Sequence, residues 1–199
     1  ESQRSVSSSA VLSRDLVAKI QESSRLEKAT RFYTEKKWGD ARTALTRLPG
    51  AETNPHEEIE RARLDLIAGE DVRDRVTRLG EDLMLAQDDE SFLQAFALLD
   101  SLGPPEPSVE ILRHAGLILT KRGHAREALR ERLRQLTASA APEERERVLF
   151  QIITLLSEKL GGGELGRNAC RIYLERYPSG KHAKDVEFIL TRKLAGAPR

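Results

Sequence analysis

The chain has 199 residues, of which 39% are hydrophobic, 5% aromatic and 33% charged, with a formal net charge of +1. No apolar run approaches the roughly 18 residues of a membrane-spanning helix, and charges of both signs are interspersed, without the basic stripe of a nucleic-acid-binding protein. We therefore expect an all-α protein, rich in strong helix formers, with no membrane span and no nucleic-acid partner.

The N-terminal segment changes character within its first residues. Residues 1–10 are Ser-rich and polar, without periodicity, which predicts a disordered leader or linker. We predict that residues 11–199 form a single helical repeat domain. Leu12, Leu16 and Ile20 lie four residues apart, which predicts a short helix over 11–22. Ser24 and Glu27 fit a capping box at the start of the next helix.

Residues 29–48 predict the first clear helical hairpin. We place its turn at Gly39 and Asp40. Ala29 and Ala44 are small enough for two helices to approach closely, with larger side chains filling the space around them. These larger residues are Phe32, Leu45 and Leu48, and Pro49-Gly50 then stops the second helix.

Three more helices are predicted in the middle of the chain. Asn54-Pro55 is a helix-start signal, Asp71 opens a second helix, and Gly103-Pro104-Pro105 ends a third. Each helix carries apolar residues at helical spacing, which we assign to buried faces. They are Ile59, Ala62, Leu66 and Ile67, then Val72, Val76, Leu79, Leu83 and Ala86, and then Phe92, Ala95, Leu99 and Leu102.

The remaining helices have clear boundaries. Ser108 starts a helix that Gly123 closes, and Pro142 opens a long one that ends at the three glycines 161–163. Pro178 stops the next helix, and Ser179 can cap a C-terminal helix over about 180–194. The helix before Pro178 carries an apolar stripe of Ala169, Ile172, Tyr173 and Tyr177.

Arg167–Leu190 contains, in this order, a small residue, Tyr, Tyr-Pro, a small polar residue and Ala. This order resembles the end of a tetratricopeptide (TPR) repeat, in the variant found in bacterial cell-envelope TPR proteins. Gly39-Asp40 with Ala44-Leu45, and the run from Leu112 to Leu129, resemble other parts of the repeat. Ala95 and Ala128 lie about one period of roughly 34 residues apart. The resemblance implies a TPR-like α-solenoid of antiparallel hairpins with a C-terminal capping helix.

By the same resemblance, the chain is a non-enzymatic scaffold that binds a peptide or helix of another protein in a concave groove. It implies a bacterial cell-envelope complex, in outer-membrane assembly, secretion or surface motility, and hence a periplasmic location. The alternative is a cytoplasmic regulatory TPR module. The implied groove positions are Thr30, Tyr33, Thr34, Arg113, Leu117, Thr120 and Lys121. For Tyr33, a place in the groove and a place in the core are both open.

We expect no catalytic residues, metal site or cofactor. The glycines of 161–166 have P-loop spacing, but Arg167 and Asn168 stand where Lys and Ser or Thr would be needed. The single cysteine, Cys170, excludes an internal disulfide and lies in an apolar helix, which predicts a buried thiol. Arg and Glu alternate over 125–134, which predicts an exposed face of salt bridges that includes Glu131.

Overall fold

The structure is a computed structural model that describes residues 25, 27–29, 31–32, 34–45 and 54–194. Its described residues contain helices and no strands, which confirms the all-α prediction. Short described stretches between residues 25 and 34 are helical and precede the first complete helix. The helices are α1 (Trp38–Ala44), α2 (Pro55–Ile67), α3 (Arg73–Ala86), α4 (Asp89–Ser101), α5 (Val109–Lys121), α6 (Ala125–Ala138), α7 (Pro142–Lys159), α8 (Gly163–Arg176) and α9 (Ala183–Phe188), followed by a π-helical turn at Ile189–Lys193.

Helix boundaries that depend on local capping lie where the sequence predicts them. Asn54 Oδ1 accepts a hydrogen bond from His56 N at 2.9 Å, and Ser108 Oγ accepts one from Ile111 N at 3.3 Å. Pro142 begins α7, and Gly123 takes the left-handed backbone (φ +80°) that closes α5. Asn54 and Ser108 satisfy amides that the helix start would otherwise leave unpaired, Pro142 has no amide to satisfy, and Gly123 lets the backbone close the helix end.

The helices pack antiparallel in chain order, and they form two large apolar cores. Residues of α2–α5 form the first, around the fully buried Phe92 and Leu112. Residues of α7–α9 form the second, around Tyr173 and Val148, and Leu129 and Leu136 of α6 pack against it. Among α2–α5 the alternate helices also touch each other, whereas α5–α8 pack chiefly on their chain neighbours. Grooves therefore remain between alternate helices in the second half.

The side of α6 that faces away from the second core is polar but buried. Its residues Glu131, Arg132 and Gln135 are at most 3% exposed. Arg132 Nη1 donates to the carbonyl oxygen of Arg113 on α5, at 3.5 Å. A polar layer of α6 therefore lies between the first and second cores.

The first hairpin differs from its prediction in where it turns. Lys36 takes the left-handed conformation (φ 57°), and Lys37 N donates to Phe32 O at 2.8 Å, so the chain turns at residues 35–37. Gly39 and Asp40 therefore lie inside α1, and the prediction of a turn there was wrong. The fully buried small residue is Ala41, one helical turn before the partly buried Ala44. The predicted helix over 11–22, Leu48 and Pro49-Gly50 lie outside the described residues.

Some predicted core residues lie at the surface instead. Leu66, Ile67 and Ile172 are 36%, 45% and 44% exposed, and Ala86 is also exposed. The buried apolar positions of α2 are Ile59 and Ala62, in the first core, and Leu64, which packs with residues of α1, whereas Leu66 and Ile67 face away from both.

The C-terminal helix begins later than predicted. Ser179 does not cap it; α9 starts at Ala183. Glu146 Oε1 accepts hydrogen bonds from Tyr173 Oη at 2.6 Å and from Lys181 N at 2.7 Å, and Tyr173 Oη accepts one from His182 N at 3.2 Å. Side chains of α7 and α8 therefore satisfy the backbone amides that a local cap would serve. Burial and the bond to Glu146 raise the pKa of Tyr173 to about 12.

Candidate functional site

The predicted groove residues of α5 lie at the surface. Arg113, Leu117, Thr120 and Lys121 are all exposed, and Leu117 keeps 42% of its surface accessible. Thr120 Oγ1 donates to Gly116 O at 2.6 Å, which fixes its side chain against the helix. Leu117 is therefore an exposed apolar side chain among polar ones, available for contact with an apolar group of a partner.

Three of these residues share a groove with α7, which we call the α5–α7 groove. Its volume is about 330 Å³. Leu117, Thr120 and Lys121 form the α5 wall, and Arg132 of α6 lies between the helices. The wall from α7 consists of Phe150, Gln151, Thr154, Leu155, Glu158 and Lys159. Because α5 and α7 are not in close contact, a cleft with both apolar and polar lining residues remains between them.

Arg132 is the unusual residue of this groove. It is only 3% exposed, and it makes no ion pair with a described carboxylate. Its Nη1 donates to Gln135 Oε1 at 2.8 Å, while burial and, secondly, the positive charge of Arg147 lower its pKa. A buried guanidinium held by neutral partners is costly, and a carboxylate that reached it would relieve that cost.

Gly116 makes room for this arginine. A Cβ atom there would lie 3.1 Å from Arg132 Nε and 3.2 Å from its Cζ, so a larger residue would push the guanidinium aside. Across the groove, Gln151 Oε1 is buried without a hydrogen-bond partner among the described residues. No sequence motif points to Arg132 or Gln151; Gly116, the small residue against Arg132, lies within the TPR-like run from Leu112 to Leu129.

The charges around the groove favour an anionic partner. Lys121 and Lys159 are exposed and make no ion pair within the described part of the chain. The carboxylate of Glu158 is already bound by Lys193 Nζ at 2.9 Å. The groove therefore presents three cationic side chains and one carboxylate that is already engaged.

The other predicted groove residues are not part of this cleft. Arg113 lines a separate depression of about 260 Å³ with Glu144. Thr34 is exposed and precedes the turn before α1, and it does not line the α5–α7 groove. Thr30 and Tyr33 lie outside the described residues.

A second and more apolar groove, the α6–α8 groove, lies beyond α7. Its volume is about 420 Å³. The α7 positions 149, 152 and 156 line it, whereas positions 150, 154 and 158 line the α5–α7 groove, on nearly opposite sides of the helix. Its walls come from Leu129, Leu133, Leu136 and Thr137 of α6, and from Leu165, Asn168, Ala169, Ile172, Arg176 and Tyr177 at α8 and its end, with Arg145 at the start of α7.

The charged face predicted over 125–134 exists, but Glu131 is not exposed. Glu131 is 0% exposed and accepts hydrogen bonds from Arg130 Nε at 2.7 Å and Arg134 Nη1 at 2.8 Å. Arg134 also binds Asp100 Oδ1 at 2.7 Å and pairs with Glu106. The cluster ties α6 to the end of α4, so its role is structural, and the exposed assignment of Glu131 was wrong.

The structure brings one serine close to a histidine. Ser91 Oγ lies 3.5 Å from His56 Nε2, and His56 Nδ1 lies 3.1 Å from Gln94 Oε1. Ser91 is only 1% exposed, and its backbone N donates to the cap residue Asp88. A nucleophile must reach its substrate, so we interpret this set as a link between α2 and α4.

The remaining candidates for chemistry have structural positions. Gly163 and Gly166 lie within α8, so the P-loop spacing falls on a helix and not on a phosphate-binding loop. Cys170 is 0% exposed, as predicted, and burial raises its pKa. Among the described residues, no group of three or more His, Cys, Asp or Glu side chains is placed to hold a metal ion. The same residues include no helix with the length and apolar character needed to cross a membrane.

Comparison with known proteins returned no similarity. No protein-family model, no curated protein and no solved structure matches the chain.

Proposed function

We propose that the chain is a TPR-like helical repeat scaffold that binds a segment of another protein in the α5–α7 groove. The observation that carries this proposal is that Leu117, Thr120 and Lys121, named from the repeat resemblance, line one cleft with α7. The antiparallel order of α2–α8 is consistent with stacked hairpins. Stacked hairpins present such clefts to extended or helical partners.

The groove chemistry indicates what kind of segment would bind. Leu117 and the buried Leu155 offer contacts for an apolar anchor, and Lys121 and Lys159 offer charges for acidic residues beside it. Arg132 makes no ion pair with a described carboxylate, so a carboxylate that enters the groove would form a charge-assisted hydrogen bond with it in a shielded place. We therefore propose an acidic segment with at least one large apolar residue.

We further propose that the scaffold belongs to a bacterial cell-envelope complex. Support comes from the resemblance of Arg167–Leu190 to the repeat ends of envelope TPR proteins. The proposal is tested by fractionation of cells that express the full-length gene, with the protein located in each fraction. Recovery of the protein with the periplasm or membranes supports it, and recovery only in the cytoplasm would favour the regulatory alternative.

The groove itself is tested by comparative capture. The double change Leu117→Glu with Lys121→Glu reverses the charge of the α5 wall and removes its apolar contact. Leu85→Glu on α3 is the matched control, because Leu85 is 79% exposed and lines neither groove. Proteins captured from cell extract by the wild type are identified by mass spectrometry, and their affinities are measured with purified components.

We expect the groove variant to lose at least about tenfold in affinity for the specific partner, as for loss of a central anchor. The Leu85→Glu variant should bind like the wild type, and circular dichroism should show equal helicity for all three. A partner bound equally well by the wild type and both variants would place the interaction outside this groove.

A further inference from the structure

The α6–α8 groove has the composition of an uncovered helix-packing surface. Leu133, Leu165 and Ile172 on its walls are 48%, 62% and 44% exposed, which is unusual for large aliphatic side chains gathered in one cleft. Beneath them, Leu149, Ile152 and Leu156 of α7 are buried and form an apolar floor. The three helices thus surround a channel with two walls and a floor.

The charged residues of this groove are all of one sign. Arg145 and Arg176 line it, and both are exposed. Neither side chain makes an ion pair or a hydrogen bond within the described part of the chain. Among the residues that the structure describes, no aspartate or glutamate lines the groove. An occupant that carries carboxylates beside its apolar residues would therefore meet two available cations and no repelling charge.

We propose that the α6–α8 groove binds an acidic amphipathic helix of another protein. A helix suits it because its backbone hydrogen bonds are satisfied internally, so only side chains need to complement an apolar channel. The α8 wall runs from Leu165 to Arg176, about three helical turns, so an occupant of about 11–14 residues would span it. Its apolar stripe would pack on Leu133 and Ile172, with carboxylates towards the two arginines.

The chain's own N-terminal segment complements the groove less well. Residues 11–22 carry an apolar stripe, but they include Arg14 and Lys19, so the segment has no net negative charge to offer the two arginines. The balanced charge of this segment therefore favours a separate acidic partner as the occupant. The proposal does not rest on the α5–α7 groove, since the two grooves use different sides of α7.

The experiment uses the full chain and a labelled synthetic peptide of about four helical turns. The peptide has leucines at i, i+3, i+4 and i+7 spacing, with glutamates beside the stripe. A second peptide of the same pattern has lysines in place of the glutamates. Binding is measured by fluorescence anisotropy at low and high salt. The protein variants are Arg145→Glu with Arg176→Glu, Leu133→Ser with Ile172→Ser, Leu117→Glu with Lys121→Glu, and Leu85→Ser.

We expect the acidic peptide to bind saturably and the lysine peptide to bind at least about tenfold more weakly. Each pair of changes in the α6–α8 groove should weaken binding about tenfold or more, and the arginine pair should also reduce its salt dependence. The α5–α7 groove variant and Leu85→Ser should bind like the wild type. Helicity and melting of each variant show whether a loss of binding reflects unfolding.

Three results would overturn the proposal. The first is equal binding of both peptides, which would remove the role of charge. The second is unchanged binding by the folded arginine variant. The third is a concentration-dependent dimer in analytical ultracentrifugation that Leu133→Ser with Ile172→Ser dissolves, because the occupant would then be a second copy of the chain. If instead binding depends on the α5–α7 groove variant alone, this proposal fails while the proposed function stands.

Discussion

The burial of Glu131 gives the most direct test of the structure, because the sequence pattern indicates the opposite. Glu131→Ala removes a fully buried carboxylate that binds Arg134 Nη1 at 2.8 Å and Arg130 Nε at 2.7 Å. Arg134 is 20% exposed, and a charge-assisted hydrogen bond in such a place contributes about 1.5–3 kcal/mol. Arg130 is 59% exposed, so its contact is worth only about 0.2–1 kcal/mol. The free energy of unfolding should therefore fall by about 2–4 kcal/mol.

Thermal melting followed by circular dichroism measures this change. For a chain of this length, a loss of about 2 kcal/mol or more lowers the melting temperature by at least about 4 °C. Glu127→Ala is the matched control, since Glu127 is exposed on the same helix one turn earlier. Removal of the Glu127 carboxylate should lower the free energy of unfolding by less than about 1 kcal/mol, mainly because its favourable interaction with the helix dipole is lost. Equal melting of the two variants would show that Glu131 lies in solvent and that the packing of α6 on α5 is misassigned.

Three other predictions concern single sites. Gly116→Val should destabilise the fold by about 1–3 kcal/mol in urea unfolding, because the new side chain displaces Arg132 from its position over α5. Since the pKa of Tyr173 is raised to about 12 from an unfolded value near 10, its contribution to stability is complete below pH 10 and should decline between pH 10 and 12. Stability measured across this range should lose that decline in Tyr173→Phe, which also removes the hydrogen bond to Glu146. Cys170, buried and with a raised pKa, should react with a thiol reagent at a measurable rate only after denaturation, and fast labelling of the native protein would contradict the α7–α8 packing.

The sequence predicts those helix ends that depend on residues close in the chain. Asn54, Ser108 and Gly123 act on backbone groups within a few residues, so their roles can be read from local order. The end of the helix before α1 is different, because Lys36 adopts the left-handed conformation that local rules assign to glycine. Likewise, the start of α9 is set by Glu146 and Tyr173 from other helices, which no local signal at Ser179 could reveal.

The candidate site was predictable only in part, for a similar reason. Helical spacing places Leu117, Thr120 and Lys121 on one face of α5, and the structure shows that this face borders a groove. The burial of Glu131 and Arg132 depends on how α6 packs on α5, and a pattern of alternating charges is the same for a solvated face and a buried one. Ile172 has core-like spacing, but it lines the α6–α8 groove, because no helix of the described chain covers that side.

The polar layer on α6 also affects how the protein should respond to denaturant. The apolar cores of α2–α5 and α7–α9 meet across Glu131, Arg132 and Gln135 rather than across packed aliphatic side chains. Such contacts transmit little hydrophobic cooperativity, so we expect the two halves to open as separate foldons. Amide hydrogen exchange should then resolve two opening free energies, one for α3–α5 and one for α7–α8. A single melting midpoint would average over the stabilities of the two halves. A substitution in the polar layer of α6 would change the free energy that couples the halves as well as the stability of each half.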